Sequence, residues 1–196
     1  MSLTRDLTDT APQAPDTTLT CRGEQFRLYL TNDAIQDRLQ EIGAAISEEY
    51  AGRTPILVSV LNGAFMVTAD LMRYITIDCE IDFMKLSSYG DEKVSSGEVT
   101  ELKRIDANLE GRDVIVVEDI VDTGLSMQFI LNMMESHKPA SLRTVTLLHK
   151  PDSNDTDVPL DYIGFDIPDL FVIGYGLDYG QIARNLPDVY ILDEEE

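Results

Sequence analysis

Three carboxylates and a small polar turn lie together in Val116-Val117-Glu118-Asp119-Ile120-Val121-Asp122-Thr123-Gly124-Leu125-Ser126-Met127. Vicinal hydroxyls donate to carboxylate oxygens, so Glu118 and Asp119 suit a ribose. The turn Asp122, Thr123, Gly124, Leu125 and Ser126 suits a phosphate. Free backbone N–H groups and the positive end of a helix dipole face an anion at such a place. Thr123 and Ser126 can add hydroxyl donors, and Gly124 lets the backbone approach closely. The flanking elements must hold this set in position. Val114 to Val117 reads as an apolar strand, and Met127, Ile130, Leu131 and Met134 recur at helical spacing. A plainer alternative is a strand end with solvated acids and an ordinary helix cap. The unbroken order of strand, acids, Thr123-Gly124 turn and helix favours the sugar-phosphate site.

Leu61-Asn62-Gly63 follows a strand and precedes a helix, so the same physics makes it a second anion turn; alone it would read equally as a plain βα connection. Lys150 follows the strand Val145 to Leu148, where a solvated surface group is the alternative. Phe171 and Val172 could be sheet core. Gly174, Gly176 and Gly180 have the wrong spacing for a dinucleotide loop, and no helix opens after them. His137, His149, Cys21 and Cys79 form neither a metal-ligand nor a nucleophile pattern and read as structural or solvated.

The surrounding elements read as an α/β fold. Thr31 or Asn32 can cap a helix whose apolar face is Ile35, Leu39, Ile42 and Ile46. Pro55 to Leu61 is a buried strand, Ala64 to Tyr74 a helix, and Ile81 to Leu86 a strand. Ser87 to Glu98 is a polar loop, and Val99 to Ile105 can return antiparallel across it. Tyr162 to Phe165 and Leu170 to Ile173 are short strands. This β-α-β rhythm predicts a doubly wound, mostly parallel sheet with its cleft at the carboxyl ends of the strands. Pieces from the N-terminal arm and from about Asp152 onward would form a small hood over it.

At 196 residues the chain is long enough for one domain with a real core. Residues 1–22 read as a disordered arm without signal-peptide character, and 23–196 as the single domain, ending in a solvated acidic tail. Two cysteines make no disulfide framework, which points to the cytoplasm. No apolar run is long enough to span a membrane. The net charge of −21 opposes binding to nucleic acid or to an anionic membrane. It also opposes polyanionic substrates, so any such site must be made attractive locally by amides, placed cations or a metal.

The acid-rich turn resembles the phosphoribosyl-pyrophosphate (PRPP) motif of the purine phosphoribosyltransferases, closely that of the hypoxanthine(-guanine) group. Leu61-Asn62-Gly63-Ala64, Ser88-Tyr89, His149-Lys150-Pro151, Ile163 to Asp169 and Phe171 to Tyr179 follow in family order, from about Phe26 to the C-terminus. The resemblance implies the type I phosphoribosyltransferase fold and transfer of the phosphoribosyl group from PRPP to N9 of hypoxanthine, and of guanine. Asp122 would be the general base at N7, with Glu118 and Asp119 on the ribose. Leu61, Asn62, Gly63 and Arg184 would bind pyrophosphate, through a cis peptide at Leu61–Asn62. Many relatives carry Lys where this chain has Asn62, a departure that removes a cation and leaves backbone N–H groups as the main donors. Ser88 and Tyr89 would begin a lid. Lys150 would read the O6 of a 6-oxopurine, Phe171 would stack on the base, and Val172 would offer its backbone to the base edge. Asp178 would hold Mg²⁺, chiefly through water, with Glu118 and Asp119 as further possible ligands. The family further implies a homodimer or homotetramer. A PRPP-binding regulator without turnover, and a pyrimidine or adenine enzyme of the same fold, are the competing readings.

Overall fold

A computed structural model describes residues 17–87, 100–154 and 156–193. Residues 1–16 and 194–196, and the expected lid residues Ser88 and Tyr89, lie outside the described residues.

A hairpin of β1 (Thr18–Cys21) and β2 (Glu24–Leu30) leads into α1 (Asn32–Glu49). β1 thus falls inside the span 1–22 that reads as an arm. Thr31 caps α1, its hydroxyl accepting from the Ala34 amide at 3.3 Å. Ile35, Leu39, Ile42 and Ile46 are wholly buried, as their spacing requires. Next come β3 (Ile56–Leu61), α2 (Phe65–Tyr74), β4 (Glu80–Ser87) and β5 (Thr100–Lys103). Then β6 (Asp113–Val121), α3 (Leu125–Ser136), β7 (Ser141–His149), β8 (Tyr162–Asp166), β9 (Val172–Ile173) and β10 (Val189–Leu192) complete the chain.

Two sheets result. The larger has the order β5-β4-β3-β6-β7-β8 and is parallel except for the antiparallel edge strand β5. Ile56, Leu57, Val58, Ser59 and Val60 are all buried, as expected of a central strand covered on both faces. One face packs Leu57, Ile115 and Val117 against α1 and α2. The other packs Val58, Val114 and Val116 against Met127, Ile130 and Met134 of α3. This is the doubly wound arrangement.

The second sheet, β1-β2-β10-β9, is antiparallel and forms the hood. Its Val172, Val189 and Ile191 join the same core as α1 and α2, so hood and main sheet share one apolar interior. Two expectations need correcting. The strand read as Val114 to Val117 extends to Val121, so Glu118 and Asp119 lie within β6 rather than beyond it. Burial still alternates through the acids, Val117, Asp119 and Val121 being buried and Glu118 and Ile120 less so, but Val117 packs on the α1–α2 side of the sheet and Val121 on the α3 side. The expected strand Leu170 to Ile173 shortens to Val172–Ile173 and belongs to the hood, whereas β8 belongs to the main sheet.

Candidate functional site

The chain passes from β3 outward to β4 on one side and from β6 outward to β7 on the other. The order of strands thus reverses between β3 and β6, and the loops after these two strands diverge to open a crevice. Leu61-Asn62-Gly63 lies on one side of it and Asp122-Thr123-Gly124 on the other. The topology places both turns at the switch point of the sheet.

The turn after β6 leaves backbone donors free. Gly124 caps α3 with φ of 80°, a conformation costly to a side chain, and no side chain caps the helix. The first helical bond runs from the Gln128 amide to the Gly124 carbonyl at 2.9 Å. The amides of Leu125, Ser126 and Met127 therefore face the turn without a capping group. Thr123 and Ser126 are exposed. Beside them is a hollow of about 100 Å³, lined by the turn together with Glu118, Ile120, Val121 and Met127. A Cβ on Gly124 would lie 2.0 Å from the Thr156 hydroxyl. Thr156 is held by Asn154, whose amide meets His149 at 3.2 Å; His149 in turn pairs with Asp166 at 2.7 Å. His149 is thus a brace behind the turn, in keeping with its structural reading.

Glu118, partly buried, and Asp119, buried, form a carboxyl pair. Burial pushes Glu118 well above the usual carboxylate range, and the charge of Asp119 adds to this. Burial also raises Asp119, against the hydrogen bonds it accepts and the charge of Arg184. Such a pair gains from vicinal hydroxyls or a cation in the crevice. Asp119 also abuts the other turn, since a Cβ on Gly63 would fall 1.6 Å from its Oδ2. The Leu61–Asn62 peptide is cis.

Lys150 is brought to Asp122. Its ammonium donates to Asp122 Oδ2 at 2.8 Å and to Asp169 Oδ1 at 3.2 Å, with only 8% of its side chain exposed. The solvated-surface alternative for Lys150 does not hold. The Lys150 hydrogen bond lowers the Asp169 carboxyl below its ordinary range. A positive donor and a carboxylate acceptor now lie side by side.

Phe171 is 42% exposed, so it is not sheet core, and it meets Tyr179 edge-on at 5.3 Å. Val172 is buried, but β9 is an edge strand of the hood. The Phe171 carbonyl turns toward β10, accepting from the Leu192 amide at 2.8 Å. Strand alternation then directs the Val172 N–H and C=O to the open edge. A flat apolar face and an adjacent donor–acceptor pair are what a heteroaromatic base requires.

Arg184 and Asp178 meet each other, Nη2 to Oδ1 at 2.5 Å, and Arg184 also donates to the Gly176 carbonyl at 2.7 Å. Gly176 has φ of 100°, and a Cβ there would lie 2.1 Å from the Gly63 carbonyl oxygen. The hood segment thus docks backbone to backbone on the second anion turn. Gly176→Ala is expected to lower stability by at least about 1 kcal/mol, through both backbone strain and overpacking. A thermal melt checks this, since each kcal/mol moves Tm by roughly 2–4 °C in a chain of this size; an unchanged Tm would mean that the contact yields freely.

Sequence reasoning assigned no role to Asp169, Tyr179, Gly176 or Lys85. Asp169 and Tyr179 stand within quoted motifs, but only the fold shows what they touch. Lys85 is the residue of β4 directly opposite Leu61, and it donates to Asn62 Oδ1 at 3.3 Å.

The phosphoribosyl transferase domain family matches residues 28–180. The chain is similar to the hypoxanthine-guanine phosphoribosyltransferase of Bacillus subtilis (strain 168), 42% identical over 166 residues, covering 85% of this chain and 92% of the relative. It is similar to the enzyme of that name from Streptococcus thermophilus (strain CNRZ 1066), 43% identical over 169 residues, with 86% and 94% covered. Among solved structures, a hypoxanthine phosphoribosyltransferase from Staphylococcus aureus is similar with a TM-score of 0.81 at 40% identity, covering 85% of this chain and 91% of that one.

Proposed function

The chain belongs to the phosphoribosyltransferase family, and from that membership we propose that it acts in purine salvage, transferring the 5-phosphoribosyl group of PRPP to N9 of hypoxanthine and guanine. The products are IMP or GMP and pyrophosphate. The observation that carries the choice of base is the Lys150–Asp122 pair at 2.8 Å. A 6-oxopurine with its proton on N7 offers an acceptor, O6, beside a donor, N7–H. Lys150 supplies the complementary donor and Asp122 the acceptor. Adenine would turn an amino group toward the buried ammonium, donor against donor, and leave that ammonium proton without an acceptor on the base.

In this reading each residue takes a distinct part. The Leu125 and Ser126 amides, with Thr123, Gly124 and the Ser126 hydroxyl, take the 5′-phosphate. Glu118 and Asp119 take the ribose hydroxyls and place negative potential near a sugar that becomes cationic as the pyrophosphate bond breaks. Phe171 covers the base, and the Val172 backbone reads its pyrimidine edge. The C1–N9 bond forms as the C1–oxygen bond to pyrophosphate breaks, and Asp122 accepts the N7 proton. Leu61, Asn62, Gly63 and Arg184 receive the pyrophosphate, Arg184 exchanging its bond to Asp178 for the anion.

The carboxylates fit Mg²⁺. This ion takes one or two carboxylates together with substrate phosphates and keeps part of its water shell. Asp178 would hold the ion, with Glu118 and Asp119 as further ligands, and bound there it neutralises phosphate charge.

No helix among the described residues is long and apolar enough to cross a membrane. The same reading takes the chain as a cytoplasmic homodimer or homotetramer, and the charge of −21 opposes a nucleic-acid or anionic-membrane partner. The test is a set of initial rates with PRPP, Mg²⁺ and hypoxanthine, guanine, xanthine, adenine or uracil. Turnover of hypoxanthine and guanine above adenine and uracil is expected. PRPP binding without turnover of any base would instead indicate a regulator.

A further inference from the structure

Lys85 stands out in the electrostatics of the crevice. The chain carries 36 acidic residues against 15 lysines and arginines, so a basic side chain near the site normally finds a carboxylate. Lys150 has Asp122 and Asp169, and Arg184 has Asp178. Among the described residues Lys85 makes no ion pair; its partner is the neutral side-chain oxygen of Asn62, at 3.3 Å. Asn62 belongs to the anion turn, and Lys85 reaches it because β4 runs parallel to β3 in a register that sets Lys85 opposite Leu61.

The strand carrying Lys85 is firmly placed. Asp82, buried three residues earlier, accepts from the amides of Phe83 at 2.7 Å, Asp106 at 2.6 Å and Ala107 at 2.8 Å, and from Lys103 at 3.3 Å. These bonds tie β4 to the segment that follows β5. On the other side of the turn, the Gly63 carbonyl faces Gly176, whose own carbonyl accepts from Arg184. The turn therefore has one cation at each flank, Arg184 from the hood segment and Lys85 from the neighbouring strand.

We propose that Lys85 is a pyrophosphate-binding residue, delivering from β4 the positive charge that Asn62 does not carry, with Asn62 holding the ammonium beside the turn until the anion arrives. A hydrogen bond to a neutral amide is weak enough to be exchanged for one to a phosphate oxygen. The charge acts on the diphosphate end of PRPP and on the pyrophosphate product. It does not act on the 5′-phosphate or on the base. This inference rests on the phosphoribosyl-transfer reading above.

The experiment uses the full chain and its Lys85→Ala, Lys85→Gln and Lys85→Arg variants. Affinity for magnesium pyrophosphate and, separately, for IMP is read by calorimetry, beside KM for PRPP. For Lys85→Ala and Lys85→Gln, pyrophosphate affinity and KM for PRPP should both worsen by roughly 10- to 100-fold, the scale of one lost charged hydrogen bond. IMP affinity should stay within about 2-fold of wild type, and Lys85→Arg should retain most pyrophosphate affinity. In the Lys85→Ala background, Asn62→Lys should recover part of the loss, because it returns a cation to the same turn. Unchanged pyrophosphate affinity in both neutral variants would overturn the proposal. So would an equal loss of IMP affinity, which would reveal a disturbed loop rather than a lost anion contact. Failure of the transfer reading would look different, as an absence of purine turnover by the wild-type chain.

Discussion

Asp122→Asn should lower kcat by roughly 10²-fold or more, the range expected when a positioned general base is removed, with little change in KM for PRPP. The substitution is well suited to isolating proton transfer. The new side chain keeps its shape and an oxygen to accept from Lys150, so the crevice geometry is retained. The Lys150 ammonium also retains Asp169 at 3.2 Å, so no buried charge is left without a counter-ion and folding is not compromised. Only the capacity to take a proton at N7 is lost. Asp169→Asn is the matching control. It alters the same ion-paired cluster without touching the proposed base and should leave kcat within several-fold of wild type. Near wild-type turnover by Asp122→Asn, or an equal fall in Asp169→Asn, would remove Asp122 from the proton transfer.

The parts of this site that are local in sequence are legible in it. Gly124 after three acids and before an apolar helical face marks the tight turn that opens α3, and the buried run Ile56 to Val60 marks a central parallel strand. The parts made by distant segments are not. Nothing in the run from Glu118 to Val121 shows where the strand ends, because acids at the carboxyl end of a strand can continue the alternation into a crevice. Val189 to Leu192 becomes a hood strand only by pairing with Leu30, Leu28, Arg27 and Phe26, at the other end of the chain. Lys150 and Asp122 are 28 residues apart and meet because β6 and β7 are adjacent, with Val121 in register with His149. Lys85 likewise reads as one more residue of a strand until the β3–β4 register brings it to Asn62. What sequence leaves open is register, and register decides which charges face the substrate.

The pairing of Lys150 with Asp122 leads to the second large effect. Lys150→Ala removes a positive donor that is almost wholly buried. Affinity for hypoxanthine and guanine should fall by about 1–3 kcal/mol, the scale for a hydrogen bond to a charged group. The loss should appear mainly in KM for the base, because the O6 contact is made in the ground state as well as in the transition state. Adenine should still be a poor substrate. The ammonium that repels its amino group is gone, but the outward-facing N–H and C=O of Val172 still select the ring edge. Lys150→Gln separates charge from hydrogen bonding. Its amide can donate to O6 and can also accept from an amino group, so it should recover part of the 6-oxopurine affinity while narrowing the gap to adenine. Normal 6-oxopurine affinity in Lys150→Ala would show that the base lies elsewhere in the crevice. Efficient use of adenine by Lys150→Ala would show that the lysine alone enforces the choice and that the Val172 edge does not contribute.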